Sequence, residues 1–341
     1  MNAAAKRNVI LGCKLAITLG LLAVALCTIH IDTLMASLRG ADIGPMLIAA
    51  LLLVFGGFAG AASWFLILRL RFPGLRFRDA AACHWNGMFF NSFLPSNVGG
   101  DVVKGWLISR AATKNASHCM SEERGGRLGF IAGSLLLDRA INLAMLLGIG
   151  CFALAAKWLG WLAAAGFLAL CVLATVAVMA VSRRHTHYAQ SIQNTDEANE
   201  TPFPKTSLRY WRKLFRSLAS DLLALTGEPR RLLPLLSAAF ASQLLKTGSN
   251  VFVVLALELK IPLFCVWYVI PLFGVISALP ISIGGLGIRE VVAHAIAEPL
   301  QIDNTHLVAL SLAGHMLTVL VNLLGAIPFL FKRYRRASGE S

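Results

Sequence analysis

The sequence predicts an all-α integral membrane protein, with six full transmembrane helices plus two re-entrant or broken-helix hairpins arranged as an inverted repeat. Three observations carry this prediction. Of 341 residues, 57% are hydrophobic and 14% charged, and the mean hydropathy is +0.69. That balance rules out water as the main solvent. Apolar runs of about 20 residues, the length that crosses a hydrocarbon core, recur along the whole chain. Two further apolar stretches, 80–109 and 262–297, are each broken in the middle by a proline and then by paired glycines. Broken backbone at membrane depth has to be buried in protein or line a wet cavity.

In chain order, the expected full spans are 9–31, 46–70, 128–156, 159–181, 232–257 and 307–331. The first follows Lys6 and Arg7 as a signal peptide would, but its length and its lack of a small-residue cleavage site mark an uncleaved span. The whole chain, 1–341, reads as one membrane domain. Within it, a first unit occupies 44–156, a second occupies 232–331, and a loop at 182–231 lies between them. In that loop Leu208, Trp211, Phe215, Leu218 and Leu222 step by three and four, while Arg209, Arg212, Lys213 and Arg216 take the other face. This is the pattern of an amphipathic helix lying on anionic headgroups.

The net charge of +14 and pI near 9.9 do not point to nucleic acid, because the basic residues sit in short links between apolar runs. Lys6 and Arg7, then Arg71, Arg76 and Arg78, then Arg110, Lys114, Arg124 and Arg127, the 182–231 loop, and the tail from Lys332 to Arg336 all belong on one side. The positive-inside rule makes that side the cytoplasm of a cell (inner) membrane, with both termini cytoplasmic. The remaining links hold little more than Arg39, Lys157 and Lys260. The count closes only when each broken segment returns to the side it entered from. Seven cysteines are scattered through the chain with no C-x-x-C pair, so neither a metal site nor a cofactor is expected.

The two broken segments share one pattern. Residues 94–100 and 279–285 both read L-P-x-x-x-G-G, and a cation follows the second glycine by four residues in each, Lys104 and Arg289. By the loop charges the two units enter the membrane from opposite sides, which makes the repeat inverted. Proline ends the incoming half-helix and glycine allows close backbone approach. The outgoing half-helix then begins inside the membrane with free N–H groups and a positive dipole end, which favours an anion such as a lipid phosphate. An inverted pair of broken segments is also the sequence pointer to a transporter's binding site.

Asp138 and Arg139 lie deep in the span 128–156, where an ionised side chain costs ~2.5 kcal/mol or more and needs a partner. Asp101 or Glu290 could meet Arg139, and Lys246 or Arg289 could meet Asp138. The candidate substrate-binding residues are Asn91, Asn97, Gly99, Gly100, Asp101, Lys104, Asp138, Arg139, Lys246, Gly284, Gly285, Arg289 and Glu290. A purely structural ion network is the alternative for the charged members. Gln243, Lys246 and Asn250 share a helical face that should look inward. No catalytic residue is singled out.

The segment 91–104, Asn91-Ser-Phe-Leu-Pro-Ser-Asn-Val-Gly-Gly-Asp-Val-Val-Lys104, together with 279–290, ending Gly284-Gly-Leu-Gly-Ile-Arg-Glu290, resembles the lysylphosphatidylglycerol synthase transmembrane family, a flippase-like family. The resemblance covers nearly the whole chain. It implies a membrane unit that moves lipids between leaflets. Some members of that family also carry an enzyme that aminoacylates phosphatidylglycerol; no such segment is expected here, so lysyl transfer is not carried over. The implied partner is a membrane lipid with an anionic or phosphate-bearing headgroup. Family members have been linked to aminoacylated phospholipids, hopanoids and polyprenol-linked sugars, and the resemblance does not choose among them. There is no G-x-x-x-x-G-K-[ST] phosphate loop to suggest an ATP-driven pump.

The alternative is a membrane glycosyltransferase using a polyprenyl-phosphate-linked donor, with Asp32 or Asp42 as its acidic residue. A structural subunit, and a homo-oligomer as well as a monomer, stay open.

Overall fold

The computed structural model describes residues 39–93, 99–115, 124–162, 165–166, 229–278 and 287–328. These fold into helices, with no strand among the described residues. The helices are α1 (Ile43–Leu68), α2 (Phe77–Phe93), α3 (Gly99–Asn115), α4 (Arg124–Trp158), α5 (Pro229–Ala256), α6 (Leu263–Ala278), α7 (Ile288–Leu300) and α8 (Asn304–Asn322). A 3-10 turn, Leu323–Gly325, extends the last of them.

The order is helix, helix, break, helix, helix, and then the same again. α2 ends at Phe93 and α3 starts at Gly99, and α6 ends at Ala278 and α7 starts at Ile288; residues 94–98 and 279–286 between them, with the prolines of the expected breaks, lie outside the described residues. α2, α3, α6 and α7 have 17, 17, 16 and 13 residues. At 1.5 Å per residue they are roughly 20–26 Å long, short of the ~30 Å hydrocarbon core.

Three helices among the described residues, Ile43–Leu68, Gly129–Trp158 and Asn304–Pro328, are long and apolar enough to cross a membrane. They match three of the six expected spans. α1 and α8 start three residues earlier than expected because Asp42 and Asp303 cap them, accepting the N–H of Gly44 at 2.9 Å and of Thr305 at 2.7 Å. α5 is 28 residues long but is not among the three. Arg230 and Arg231 open it, and Gln243, Lys246, Thr247, Ser249 and Asn250 interrupt its apolar sequence. The expected span 9–31, nearly all of 159–181 and the amphipathic run at 207–223 lie outside the described residues.

The outer surface is apolar in the way a bilayer demands. On α1, Ile43, Leu47, Leu51, Phe55 and Phe58 form an exposed stripe at helical spacing, and Met316 and Leu320 do the same on α8. In water such a stripe would be an aggregation liability; against lipid tails it costs nothing. Trp158 and Trp161 are exposed at the end of α4, where Lys157 donates to the Tyr268 hydroxyl at 2.8 Å. Amphipathic rings of this kind gather at membrane–water interfaces.

Inside, α1 and α5 form the most extensive helix pair and run antiparallel along their full length. Asp42 N–H reaches the Ala256 carbonyl at 2.8 Å, the Ser242 hydroxyl donates to the Gly56 carbonyl at 2.8 Å, and Ile67 packs with Leu232 and Leu235. Small residues permit this approach: a Cβ on Gly56 would lie 3.1 Å from Lys246 Cγ and one on Gly60 3.1 Å from Ser242 Oγ, while Gly57 makes room for the Trp85 ring of α2. The other contacts between the two groups of four are reciprocal. The fourth helix of the first group packs on the second of the other, with Gly150 of α4 against Pro271 of α6 and Leu146 against Gly274. The fourth helix of the second group packs on the second of the first, where Gly325 lies against the Trp85 carbonyl and Asn322 donates to Ser92 at 3.0 Å.

At the first break, α3 closes onto α2 so tightly that a Cβ on Gly100 would overlap the Gly87 carbonyl oxygen. Gly100→Ala should therefore cost ~1–3 kcal/mol through overpacking against a backbone atom that cannot turn away. Gly148→Ala, where nothing lies within 4 Å, should leave stability unchanged. Thermal unfolding of the two variants in detergent checks the contrast.

Candidate functional site

The first break delivers α3 with its N-terminus inside the structure. Asn91 Oδ1 accepts the Gly100 N–H at 2.9 Å, satisfying one of the donors that a helix start leaves open. Asp101, in the first turn, complements the positive dipole end and pairs with Arg139 of α4. One turn further, Lys104 is only 4% exposed, yet its ammonium is fully provided for. It bonds Asp138 at 3.2 Å and lies 3.9 Å above the Trp64 ring. Neighbours on a helix project about 100° apart, so Asp138 and Arg139 each find a separate carrier of opposite charge on the same face of α3. Arg139 takes the expected partner Asp101. Asp138 pairs with Lys104 and not with Lys246 or Arg289, because α3 packs directly on α4.

From Asp138 the polar contacts continue across the molecule. Asn142, one turn on, donates to the Asp138 carbonyl at 2.7 Å and to its carboxylate at 3.1 Å. Gln243 of α5 then donates to Asn142 Oδ1 at 2.8 Å. A single chain of side chains thus joins α3, α4 and α5.

Gln243 also opens onto a cavity of about 210 Å³ between α1, α2, α4, α5, α6, α7 and α8. This is far above the ~10–15 Å³ that one water requires. Gln243, Lys246 and Asn250 from α5, Arg289 from α7, and Ser311 and His315 from α8 give it a polar wall. Leu53, Met88, Leu146 and Phe273 face them. Thr247 Oγ1 and Asn322 Oδ1 of the same lining are buried with no hydrogen-bond partner among the described residues.

The second break is built differently. Gly287 precedes α7 at φ 83°, in the left-handed region that suits glycine. Glu290 is completely buried: one carboxylate oxygen accepts the Gly287 N–H at 2.7 Å and the other accepts the Ser311 hydroxyl at 2.8 Å. Arg289 donates to the Ser277 hydroxyl of α6, so hydroxyls and amides, not an acid–base pair, hold this break. Lys246 has no hydrogen bond or ion pair among the described residues, and the nearby charges acting on it are those of Asp138 and Lys104.

The thirteen sequence candidates therefore separate. Asp101, Lys104, Asp138 and Arg139 meet between α3 and α4; Asn91 and Gly100 meet where α3 packs on α2, with Gly99 opening α3; Lys246 and Arg289 line the cavity with Glu290 just behind. Asn97, Gly284 and Gly285 lie outside the described residues. Trp64, Ser277 and Ser311 were not among them. Ser311, His315, Thr318 and Asn322 line the cavity at steps of four, three and four, a polar stripe on α8 that the sequence does display. Of the two acids considered for a glycosyltransferase, Asp42 is a helix cap and Asp32 lies outside the described residues.

Exposed apolar stripes on long apolar helices, around an apolar core that holds a buried ion pair and a cavity with cations in its wall, define an α-helical integral membrane protein. The chain belongs to the family described as the lysylphosphatidylglycerol synthase TM region, whose model matches residues 10–325. A search of curated proteins gave no match.

The buried ion pair makes a definite prediction. Lys104→Met alone should cost ~3–5 kcal/mol, because it leaves the Asp138 carboxylate charged and poorly compensated. Adding Asp138→Asn should recover much of that loss. Unfolding midpoints of the single and double variants test this.

Proposed function

We propose that this chain is a lipid transporter of the inner membrane that moves an anionic or phosphate-bearing lipid between leaflets, with both termini and the 182–231 loop cytoplasmic. The observation that carries the reading is the polar cavity with Lys246 and Arg289 in its wall, enclosed among helices that face lipid on their other sides. Such a chamber offers a charged headgroup solvation while its acyl chains stay in the bilayer. Membership of a lipid-related membrane family supports it.

In this reading the two groups of four helices are an inverted repeat. Three features favour that relation: the shared helix–helix–break order, the antiparallel α1 and α5, and the reciprocal contacts of α4 on α6 and of α8 on α2. Alternating access then needs only rocking of one group against the other around the cavity. The test is leaflet exchange of labelled anionic lipid in liposomes holding the purified protein. The parent chain should accelerate exchange, and Arg289→Ala should lower the rate by about tenfold or more, as removal of a charge-assisted contact implies. No acceleration for any labelled lipid would count against transport and move the weight to an enzymatic or structural role.

A further inference from the structure

The charges around the breaks and the cavity do not balance. Leaving aside Arg110, Lys114, Arg124, Arg127, Lys157, Arg230 and Arg231, which lie towards the helix ends, the described cations of α3, α4, α5 and the start of α7 are Lys104, Arg139, Lys246 and Arg289, and the carboxylates are Asp101, Asp138 and Glu290. Lys104 and Arg139 are committed to Asp138 and Asp101. Glu290 sits beside Arg289, but both its oxygens already accept bonds from Gly287 and Ser311. One positive charge is left over, and it belongs to the cavity, where Lys246 and Arg289 face the same space.

We infer that this cavity is a site for a singly charged phosphodiester, the headgroup phosphate of a net monoanionic lipid, bound between Lys246 and Arg289. The inference rests on the proposed transport reading and narrows its substrate. One negative charge brings the buried set to neutrality, whereas a diphosphate would leave it negative in a low-dielectric interior, where uncompensated charge is costly. The surrounding groups fit the same ligand. Gln243 and Asn250 each keep one amide hydrogen beyond those given to Asn142 Oδ1 and the Lys246 carbonyl, and Arg289 keeps guanidinium donors beyond the one given to Ser277. Among the described residues no carboxylate lines the cavity, so a headgroup ammonium would meet cations without a counter-charge. The polar lining comes from the second group of helices alone; Lys104, the residue matching Arg289 in the L-P-x-x-x-G-G pattern, is neutralised by Asp138.

The test is binding to the purified full-length chain in detergent, followed by titration calorimetry. The probes are short-chain phosphatidylglycerol, short-chain phosphatidylcholine, farnesyl diphosphate and inorganic phosphate. Phosphatidylglycerol should bind at least about tenfold more tightly than each of the others. Lys246→Gln and Arg289→Gln, with helical content and elution matching the parent, should each weaken it by a similar factor, and Lys246→Arg should retain it.

Farnesyl diphosphate or phosphatidylcholine binding as tightly as phosphatidylglycerol would overturn the inference, and inorganic phosphate doing so would make it a free-ion site. Unchanged binding in the glutamine variants would place the ligand elsewhere. The ranking on the parent chain decides even where a variant fails to fold. Leaflet exchange on the same preparation separates the two readings. Equal exchange of all lipids without selective binding overturns only the site, while selective binding without exchange overturns only transport.

Discussion

Everything at the first break depends on burying Lys104 against Asp138. An ammonium that is 4% exposed at membrane depth has few tolerable settings, and this one combines a carboxylate at 3.2 Å with the face of Trp64 at 3.9 Å. The pair fixes how far α3 can slide along α4, and α3 in turn is pressed onto α2 by the contact of Gly100 with Gly87. Asp138 is then oriented by Asn142, and Asn142 by Gln243, so the register of α4 against α5 follows from the same carboxylate. Replacing such a network with apolar packing need not lose stability. What the ions contribute is a unique arrangement of helices whose apolar faces would pack acceptably in several others.

The two breaks use their charges in opposite ways. The first spends its cations on carboxylates and becomes a clamp. The second satisfies its carboxylate with an amide and a hydroxyl, which leaves Arg289 near the cavity with a serine as its hydrogen-bonded partner. Two segments that look alike as sequence thus differ as chemistry, and the proposed headgroup site follows the second alone.

The fold was legible to the degree that single helices announce themselves. The apolar runs of α1, α4 and α8 could be read, since each depends on residues close in sequence, whereas the capping aspartates were missed: Asp42 looked like a candidate acid and both capped helices start three residues before the apolar run. The polarity of α5 was also visible at Gln243, Lys246 and Asn250, though an apolar window alone misses such a helix. The pairing of Asp138 was not legible. Several cations were available at suitable depth, and the choice of Lys104 depends on which helix lies beside α4, a long-range fact. The same limit hid Trp64 and Ser311: a tryptophan under an ammonium and a serine on a buried glutamate look like ordinary core and helix residues until their neighbours are known. The stripe from Ser311 to Asn322 is the exception, because its spacing alone sets it apart.

The seam between α1 and α5 also bears on how the protein is made. Gly56 and Ser242, bonded across it, are 186 residues apart in the chain. At ~5–20 residues per second of synthesis, roughly 10–40 s separate the emergence of the two helices from the ribosome. For that interval the part of α1 around Gly56, grooved to receive α5, lacks the helix that fills it in the finished fold. A bilayer gives two helices no hydrophobic drive to pair beyond what lipid already offers. Closing the seam therefore waits on shape and on the few polar contacts along it. A half-synthesised chain with an unfilled groove is the state in which a chaperone or a membrane protease would meet this protein.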